Sequence, residues 1–480
     1  MRRRTPDPGV ENAGRGTQAP SRGSRLLAAQ PAEKGGGKVE GRKAPPTAAR
    51  PPVCHLPPPE GPGSVLPARP TSRVPWPMVK QQSMRLEDAC ILIADCPHST
   101  APDEGAGYPL VRTPNIGNGR LVFDKMHRVS RPVYELRNKR AKPQAGDLIY
   151  AREAPAGNVA LITEGQEVCL GQRTVLLRPN PKIADSAYLT YYLLAPEQKH
   201  RLLGTATGAT VTHVNIPVIR ALEISLPPLP VQRRIADILS AYDDVIENNR
   251  RRIAILEETA RLAYRKWFVE FQFPGHGRTP TTKEIPHGWE RVHLGDCIAT
   301  NQATYRPSDL PPEINYIDIS AVKEGRILEK KRLLSQEAPG RARRKAQTGD
   351  VIWSNVRPNL KSYALVVEPE PNDVFSTGFT ILTPTRIPYS FLYCLVSTDE
   401  FVSYLDNMVT GSTYPAVRPC VFEQAELILP NRELLDDFHG LFAPFLCQCR
   451  KLERQNTALA AARDMLLPRL LKGNVERDNA

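Results

Sequence analysis

The 480-residue sequence predicts an α/β (α+β) tandem repeat: two globular domains separated by two long helices that form an antiparallel coiled coil. Three observations carry this. Short motifs recur at a constant distance: Lys142-Pro-Gln-Ala-Gly-Asp147-Leu-Ile returns as Lys345-Ala-Gln-Thr-Gly-Asp350-Val-Ile, Thr207-Gly-Ala-Thr210 as Thr410-Gly-Ser-Thr413, and Leu222-Glu-Ile-Ser-Leu-Pro227 as Ala425-Glu-Leu-Ile-Leu-Pro430, each 203 residues on. Between these motifs, short β-like runs alternate with turn residues and a few helical stretches. After each Pro-terminated stretch comes an apolar stripe at heptad spacing.

Taken in order, residues 1–83 hold 14 Lys and Arg against 5 Asp and Glu, 16 of the 47 prolines and 10 of the 31 glycines. So little apolar surface cannot offset the entropy of ordering, and this extension is expected to be disordered. Met78 and Met84 sit at its end, which admits a mis-called start; a basic arm for nucleic acid is the other reading. Hydrophobic patterning starts at Met84, and a first domain is expected over 84–230. Gly146-Asp147-Leu-Ile-Tyr150 reads as a turn entering a buried strand, and Tyr188 to Leu194 as a short helix. A long helix follows over 231–275, then a Gly/Pro linker at 276–284. The second domain spans 285–430, with Gly349-Asp350-Val-Ile-Trp353 and Phe391 to Val396 as the matching elements. A second long helix at 431–473 and a tail at 474–480 close the chain. Two further matches, Asn118-Gly-Arg-Leu121 with Glu324-Gly-Arg-Ile327 and Leu86-Glu-Asp88 with Leu294-Gly-Asp296, lie at offsets of 206 and 208, so loops of different length separate the same units.

The first helical stripe is Ile235, Leu239, Tyr242, Ile246, Asn249, Ile253, Leu256, Ala260, Ala263 and Trp267, alternating steps of four and three. Shifted along the repeat it becomes Phe438, Phe442, Phe445, Cys449, Leu452, Asn456, Leu459, Arg463, Leu466 and Leu470. Each helix would be about 50 Å long at ~1.5 Å per residue. A seam this long exceeds what one small domain covers, so the helices are expected to pair. Asn249 lies just before the midpoint of the first helix and Asn456 equally far beyond that of the second. A centred antiparallel pair therefore sets these two polar seam residues opposite one another, where they would fix register.

Composition excludes several classes. No apolar run approaches the ~18 residues of a membrane span, and the nine cysteines include no CxxC pair, which speaks for a reducing cytoplasm and against a zinc site or disulfide framework. The net charge of +13 resides mostly in the extension, which carries +9, leaving a mildly basic body. No Walker A, GxSxG, HExxH or Rossmann signature is present. Phe273-Pro-Gly-His-Gly277 matches an FxGxG loop but follows a helix and has no Asn/Asp-Pro-Pro-Tyr/Phe partner; it reads as a linker. Asp318 with Glu329-Lys-Lys331 faintly resembles a nuclease metal site, but the duplicate half has Arg112 in place of Asp318. The chain reads as non-catalytic.

What repeats is polar loop chemistry suited to DNA. Arg137, Lys139, Arg140 and Lys142 precede the first Gly-Asp, and Arg341, Arg343, Arg344 and Lys345 precede the second; such clusters neutralise phosphates. Arg112, Asn115, Asn118 and Arg120 flank a turn in the first domain, and Arg152 follows its strand. Asn355, Arg357, Asn359 and Lys361 follow the equivalent strand in the second. Arg and Asn are shaped for bidentate contacts to guanine and adenine edges. Thr210 and Thr413, in the repeated Thr-Gly motif, complete the candidate DNA-binding set. The candidate coiled-coil and partner set is Ile235, Leu239, Tyr242, Asn249, Trp267, Phe438, Phe442, Asn456 and Leu470.

Leu226-Pro-Pro-Leu-Pro-Val-Gln-Arg-Arg-Ile-Ala-Asp-Ile-Leu239, continuing to Arg265-Lys-Trp-Phe-Val-Glu-Phe271, resembles the central conserved region of type I restriction-modification specificity subunits. Asp95-Cys-Pro-His-Ser-Thr100, Val111-Arg-Thr-Pro-Asn-Ile-Gly-Asn-Gly-Arg120, and Pro286-His-Gly-Trp-Glu with Leu294-Gly-Asp296 resemble openings of that family's target recognition domains. The resemblance covers about 84–473; the departures are the N-terminal extension and the polar seam positions Asn456 and Arg463. It implies a subunit of a cytoplasmic bacterial or archaeal complex that binds a bipartite, asymmetric site on double-stranded DNA, one half per domain. The helices would hold the halves apart and dock two methylation subunits. S-adenosylmethionine would then be expected on those partners, and ATP and Mg²⁺ on a restriction or motor subunit, with no cofactor or metal in this chain. The alternative is a single-chain nuclease or methyltransferase with fused recognition domains; a coiled-coil adaptor without DNA binding is a third reading.

Overall fold

The computed structural model describes residues 80–153, 155–204, 213–282, 285–411 and 415–472. They form two compact units: residues up to 262 together with 441–472, and residues 263–440. The expected extension up to residue 79 and the tail beyond 473 lie outside the described residues.

In the first unit a five-stranded sheet runs in the order Cys90–Asp95, Thr174–Pro179, Leu148–Ala151, Val159–Leu161, Gly119–Arg120. The strand that the Gly-Asp motif announces, Leu148–Ala151, is its middle member and is buried along its whole length. A central strand covered on both faces reads as an unbroken apolar run, which is why Leu-Ile-Tyr-Ala does not alternate. Tyr108–Val111 lies between Arg128–Val129 and Cys169–Leu170 in a smaller sheet. Helices Ser186–Leu194 and Pro196–Leu203 follow, and Gln82–Arg85 pairs antiparallel with Glu223–Leu226, tying the start of the domain to its end. That strand includes Gln82 and Ser83, so the domain starts two residues before the expected Met84.

The second unit repeats the plan with different strand lengths. Val351–Ser354 sits between Phe379–Pro384 and Tyr363–Leu365, with Ile298–Thr300 at the far edge. A second four-stranded sheet is built from Lys331–Leu334, Glu313–Ile317, Asp373–Ser376 and Ala342–Arg344. Tyr389–Val396 and Asp399–Asn407 are the helices matching the first unit's pair, and Glu290–His293 closes against Glu426–Leu429 as Gln82–Arg85 does against Glu223–Leu226. The expected linker is partly structured, since Thr281–Thr282 pairs with Ile285–Pro286.

The duplication holds at atomic detail. Gly146 and Gly349 take φ of +91° and +93°, a region where only glycine is unstrained. Each following aspartate caps its own turn: the Gln144 N–H donates to Asp147 Oδ2 at 3.0 Å and the Gln347 N–H to Asp350 Oδ2 at 2.8 Å.

The central helix spans Leu229–Tyr264 and passes into a π-helical turn at Arg265–Val269, so it ends short of the expected residue 275. Phe271 adopts φ of +56°, and Phe273 precedes a proline that disfavours helical backbone before it and offers no N–H. The C-terminal helix spans Arg432–Leu471 and contains Pro444 and Pro468.

Within the first unit the two helices are antiparallel in the expected register. Asn249 Nδ2 donates to Asn456 Oδ1 at 3.0 Å. Ile253 packs with Cys449 and Leu452 on one side of that pair, and Ile235 and Leu239 share a core with Leu467 and Leu470 on the other. The polar interruption at Arg463 is answered by Asp243 of the central helix, which also accepts a 2.6 Å hydrogen bond from the Tyr191 hydroxyl. Arg450 and Glu257 form a second ion pair at 2.6 Å, both almost fully buried. Buried pairs repay their desolvation poorly, but they fix register, because removing either partner strands a charge.

The seam departs from strict heptads towards its end. Ala263 and Trp267 are only half-buried, while Tyr264 and Phe268 are buried. A helix turns once per ~3.6 residues, so a seam read at 3.5 drifts by ~20° each heptad unless the pair supercoils. In the second unit Tyr264 and Phe268 enter an aromatic cluster with Phe391 and Phe438, with ring centroids 4.9 to 5.4 Å apart for Phe268–Phe391, Phe268–Phe438, Tyr264–Phe391 and Tyr264–Phe268. The same one-residue shift buries Leu446 and Leu467 where the pattern indicated Phe445 and Leu466.

Candidate nucleic-acid interface

In each unit the central strand leads into a loop fastened to a residue that follows the Thr-Gly motif in sequence. The Val214 N–H donates to the Arg152 carbonyl at 3.1 Å, and the Val417 N–H donates to the Asn355 carbonyl at 2.8 Å, the same bond one repeat apart. In the second unit the fastening continues: Val356 bridges Ala416, and the Arg357 N–H donates to the Pro415 carbonyl at 2.9 Å. The structure thus brings together residues that are some 60 positions apart in sequence. Thr210 and Thr413 lie outside the described residues.

The first unit puts several candidates to work in the fold. Asn115 is buried, with its side chain accepting from the Arg112 N–H at 3.2 Å and donating to the Val122 carbonyl at 3.2 Å. Arg152 is also buried; its guanidinium donates to the Val214 carbonyl at 3.0 Å, pairs with Asp95 at 3.0 Å and meets His213 Nε2 at 2.8 Å. Glu153 continues this network to His213 at 2.6 Å and Arg173 at 2.9 Å. Arg120 pairs with Asp244 on the central helix, and Arg137 spends its guanidinium on the carbonyls of Leu170 and Ser99. The expectation that these are exposed loop side chains is therefore corrected for Asn115, Arg137 and Arg152. Tertiary contacts bury them, and a buried polar group left without a hydrogen bond is costly, so their side chains are spent within the protein. The sequence signal for Arg152 lay in Asp95, the first residue of Asp95-Cys-Pro-His98, which its spacing did not connect to residue 152.

Arg112 is half-buried, and Lys142 and Asn118 stay outward. Lys142 reaches Glu167 only at 3.7 Å, and Asn118 accepts from Lys199 at 3.4 Å. Lys199 also reaches Asn158 Oδ1 at 3.3 Å, and partial burial holds its ammonium below the usual lysine range.

The second unit leaves more of its candidates to solvent. Lys345, Arg357 and Asn359 are exposed, the Lys345 ammonium lying 3.9 Å above the Tyr305 ring. Among the described residues the side chains of Arg357 and Asn359 have no hydrogen-bond or ion-pair partner. Asn355 accepts from the Thr380 hydroxyl at 2.6 Å, and Lys361 pairs with Asp399 at 2.6 Å. The neighbouring cations divide likewise, since Arg341 is held by Asp318 at 2.8 Å.

The two Gly-Asp turns also differ electrostatically. Asp147 receives two 2.8 Å hydrogen bonds from the Arg178 guanidinium. Strand pairing puts Thr383 where the first unit has Arg178, so among the described residues Asp350 meets a hydroxyl and no cation. Burial pushes its carboxyl up to about 6 from the usual 3.8, an effect that hydrogen bonds from the Gln347 N–H and the Thr383 side chain only partly offset, and among the described residues no donor is well placed on its Oδ1.

Of the helix candidates, Ile235, Leu239, Asn249, Phe438, Phe442 and Leu470 are buried, while Tyr242, Trp267 and Asn456 are half-buried. Among the described residues no group of His, Cys, Asp and Glu could hold a metal ion, and no helix is long and apolar enough to cross a membrane.

Residues 78–258 match the family described as the type I restriction modification DNA specificity domain. The chain is 24% identical over 390 residues to the type I restriction enzyme MjaIX specificity subunit of Methanocaldococcus jannaschii, covering 77% of this chain and 87% of that one. It is 19% identical over 402 residues to the type I restriction enzyme HindI specificity subunit of Haemophilus influenzae, covering 69% and 86%. Among solved structures it resembles the type I restriction-modification S subunit from M. genitalium, with a TM-score of 0.52 and 15% identity over 82% of this chain and 96% of that one, a likeness of fold. The repeat, the antiparallel helix pair and these similarities agree: residues 78–258 match a type I restriction modification DNA specificity domain, and most of the chain is similar to type I restriction-modification specificity subunits.

Proposed function

We propose that this chain reads a bipartite, asymmetric site on double-stranded DNA, with one half-site per globular unit, and that it performs no catalysis itself. The observation that carries the reading is the fastened pair of loops that recurs in both units, held by equivalent backbone hydrogen bonds at Arg152 and Asn355. A backbone braced in this way presents side chains at low ordering cost, which recognition requires. The exposed Lys142, Lys345 and Arg357 supply phosphate or base contacts.

Two methylation subunits would dock on the helices, bringing S-adenosylmethionine, and a restriction or motor subunit would bring ATP and Mg²⁺. Support for docking comes from apolar side chains on the outward helix faces: Val245, Ile255 and Leu262 on the central helix, and Leu441 and Met465 on the C-terminal one, are all exposed. A contiguous exposed apolar patch marks a partner surface, and Ile255 and Leu262, about two helical turns apart, fall on one face.

Methylation mapping of the host genome by single-molecule sequencing, with and without the gene, tests the role. Loss of one interrupted methyladenine motif on deletion is expected, and an unchanged methylome combined with failure to retain methylation subunits in a pull-down refutes it. Because the body is only mildly basic, the isolated chain should bind DNA weakly and with steep salt dependence, tightening when methylation subunits are added. Nanomolar specific binding by the lone chain at physiological salt would contradict this.

A further inference from the structure

The turn between Val351–Ser354 and Tyr363–Leu365 carries chemistry that its counterpart in the first repeat lacks. At the 203-residue offset, Arg357-Pro358-Asn359-Leu360 stands where the first repeat has Ala154-Pro155-Ala156-Gly157. The proline is kept, and the three positions around it change from small residues to a guanidinium, an amide and a large aliphatic group.

Both turns are anchored in the same way, with the polarity reversed. In the second unit Lys361 donates to Asp399 at the start of the helix Asp399–Asn407, at 2.6 Å. In the first, Asn158 at the equivalent position accepts from Lys199 of the helix Pro196–Leu203, at 3.3 Å. The second turn is further fixed at both ends: the Arg357 N–H is held by the Pro415 carbonyl, and the Lys361 carbonyl accepts from the Glu324 N–H at 2.7 Å. Arg357 and Lys361 are non-glycine residues with φ of +49° and +53°, bracketing the short helical turn Pro358–Leu360. A backbone this constrained does not rearrange to bury its tip. Leu360 nevertheless stays 54% exposed, beside Asn359 and Arg357, whose side chains have no hydrogen-bond or ion-pair partner among the described residues.

An amide next to an aliphatic group is the side-chain complement of an A·T pair in the major groove, where adenine offers N6 and N7 and thymine offers O4 and its methyl. We propose that the Arg357–Lys361 turn reads one A·T base pair in one half-site, Asn359 on the adenine edge and Leu360 on the thymine methyl. The corresponding turn of the first repeat makes no base contact, so the two halves of the site are read by different loops. The inference rests on the DNA-specificity reading above.

The test uses the full chain assembled with the methylation subunits of its own system. Mapping methylation with Asn359→Ala and with Leu360→Gly should show the motif relaxed at one A·T position in one half and unchanged in the other. Ala156→Ser in the first repeat should leave both halves unchanged. Independently of any variant, the wild-type complex is titrated with duplexes carrying the mapped motif and a single thymine replaced by uracil. One thymine should show weakening of about tenfold, the scale of losing a methyl from an apolar contact, and the Leu360→Gly complex should not distinguish the two duplexes. An unaltered motif in both variants, relaxation in both halves, a shift caused by Ala156→Ser, or indifference to uracil at every thymine would each overturn the inference. If the variants lose all methylation, the uracil titration of the wild type decides. Should the wild-type complex methylate no interrupted motif, the specificity reading falls and this inference with it; a normal motif without uracil sensitivity sinks this inference alone.

Discussion

Replacing Asp350 by Asn should stabilise the second unit at neutral pH. Asp350 is buried, 3% exposed as a residue, and has no cationic partner among the described residues, and burial pushes its carboxyl up to about 6 from the usual 3.8. Between these two values the native state holds a proton that the unfolded chain has released. The stability contributed is fully present below pH 3.8 and lost as pH rises through about 6. A shift of about two units at ~1.4 kcal/mol per unit sets an upper bound of roughly 3 kcal/mol on the cost of the charge at pH 7.5. Asparagine keeps a side-chain oxygen for the Gln347 N–H and places an amide at the orphaned Oδ1 position. The assay is urea unfolding followed by tryptophan fluorescence. Of the four tryptophans, Trp267, Trp289 and Trp353 all lie in the second unit, and Trp76 is outside the described residues, so the signal reports mainly on that unit. The advantage of Asp350→Asn should grow from near zero at pH 4 to about 2–3 kcal/mol at pH 7.5. Equal stability at pH 7.5, or an undiminished pH slope in the variant, would refute an uncompensated Asp350 charge. Asp147→Asn is the opposing control and should destabilise, because it breaks the bidentate bonds from Arg178.

Other expectations can be checked alongside. Arg152→Ala should lower stability by about 2–4 kcal/mol, since it leaves Asp95 with only His98 beside it and frees the Val214 carbonyl; calorimetry of the variant tests this, and a normal melting temperature with altered DNA affinity would restore a reading role to Arg152. Lys345→Ala should instead leave the melting temperature alone and reduce the slope of log affinity against log salt by about one in the assembled complex. Replacing both Asn249 and Asn456 with Leu should raise stability while loosening register, seen as a higher melting temperature with reduced methylation by the assembled complex. A strongly destabilised double variant would mean that the asparagine pair does more than set register.

Much of the architecture was legible because it is periodic. The offset of 203 gave the duplication, and the positions of Asn249 and Asn456 about the helix midpoints gave an antiparallel register that the 3.0 Å amide contact confirms. Heptad counting misplaced parts of the seam by one residue, where helical drift replaces Ala263 and Trp267 with Tyr264 and Phe268, and Leu466 with Leu467. The candidate site was less legible. Arg112, Asn115, Arg120 and Arg152 look alike in sequence to Arg357 and Asn359, since all are Arg or Asn near turns. They differ in what folds against them: Asp244 for Arg120, Asp95 and His213 for Arg152, and nothing among the described residues for the side chains of Arg357 and Asn359.

By itself, then, the sequence determined the class, the repeat, the helix pair and its register, because local periodicity and one repeated spacing encode them. Only the tertiary structure decided which polar side chains are spent inside the protein and which remain available to a partner. That choice depends on contacts between residues 57 to 124 positions apart, such as Arg152 with Asp95 and Arg120 with Asp244. Burial makes a missing hydrogen-bond partner costly, and no pattern of neighbours along the chain announces where burial will fall.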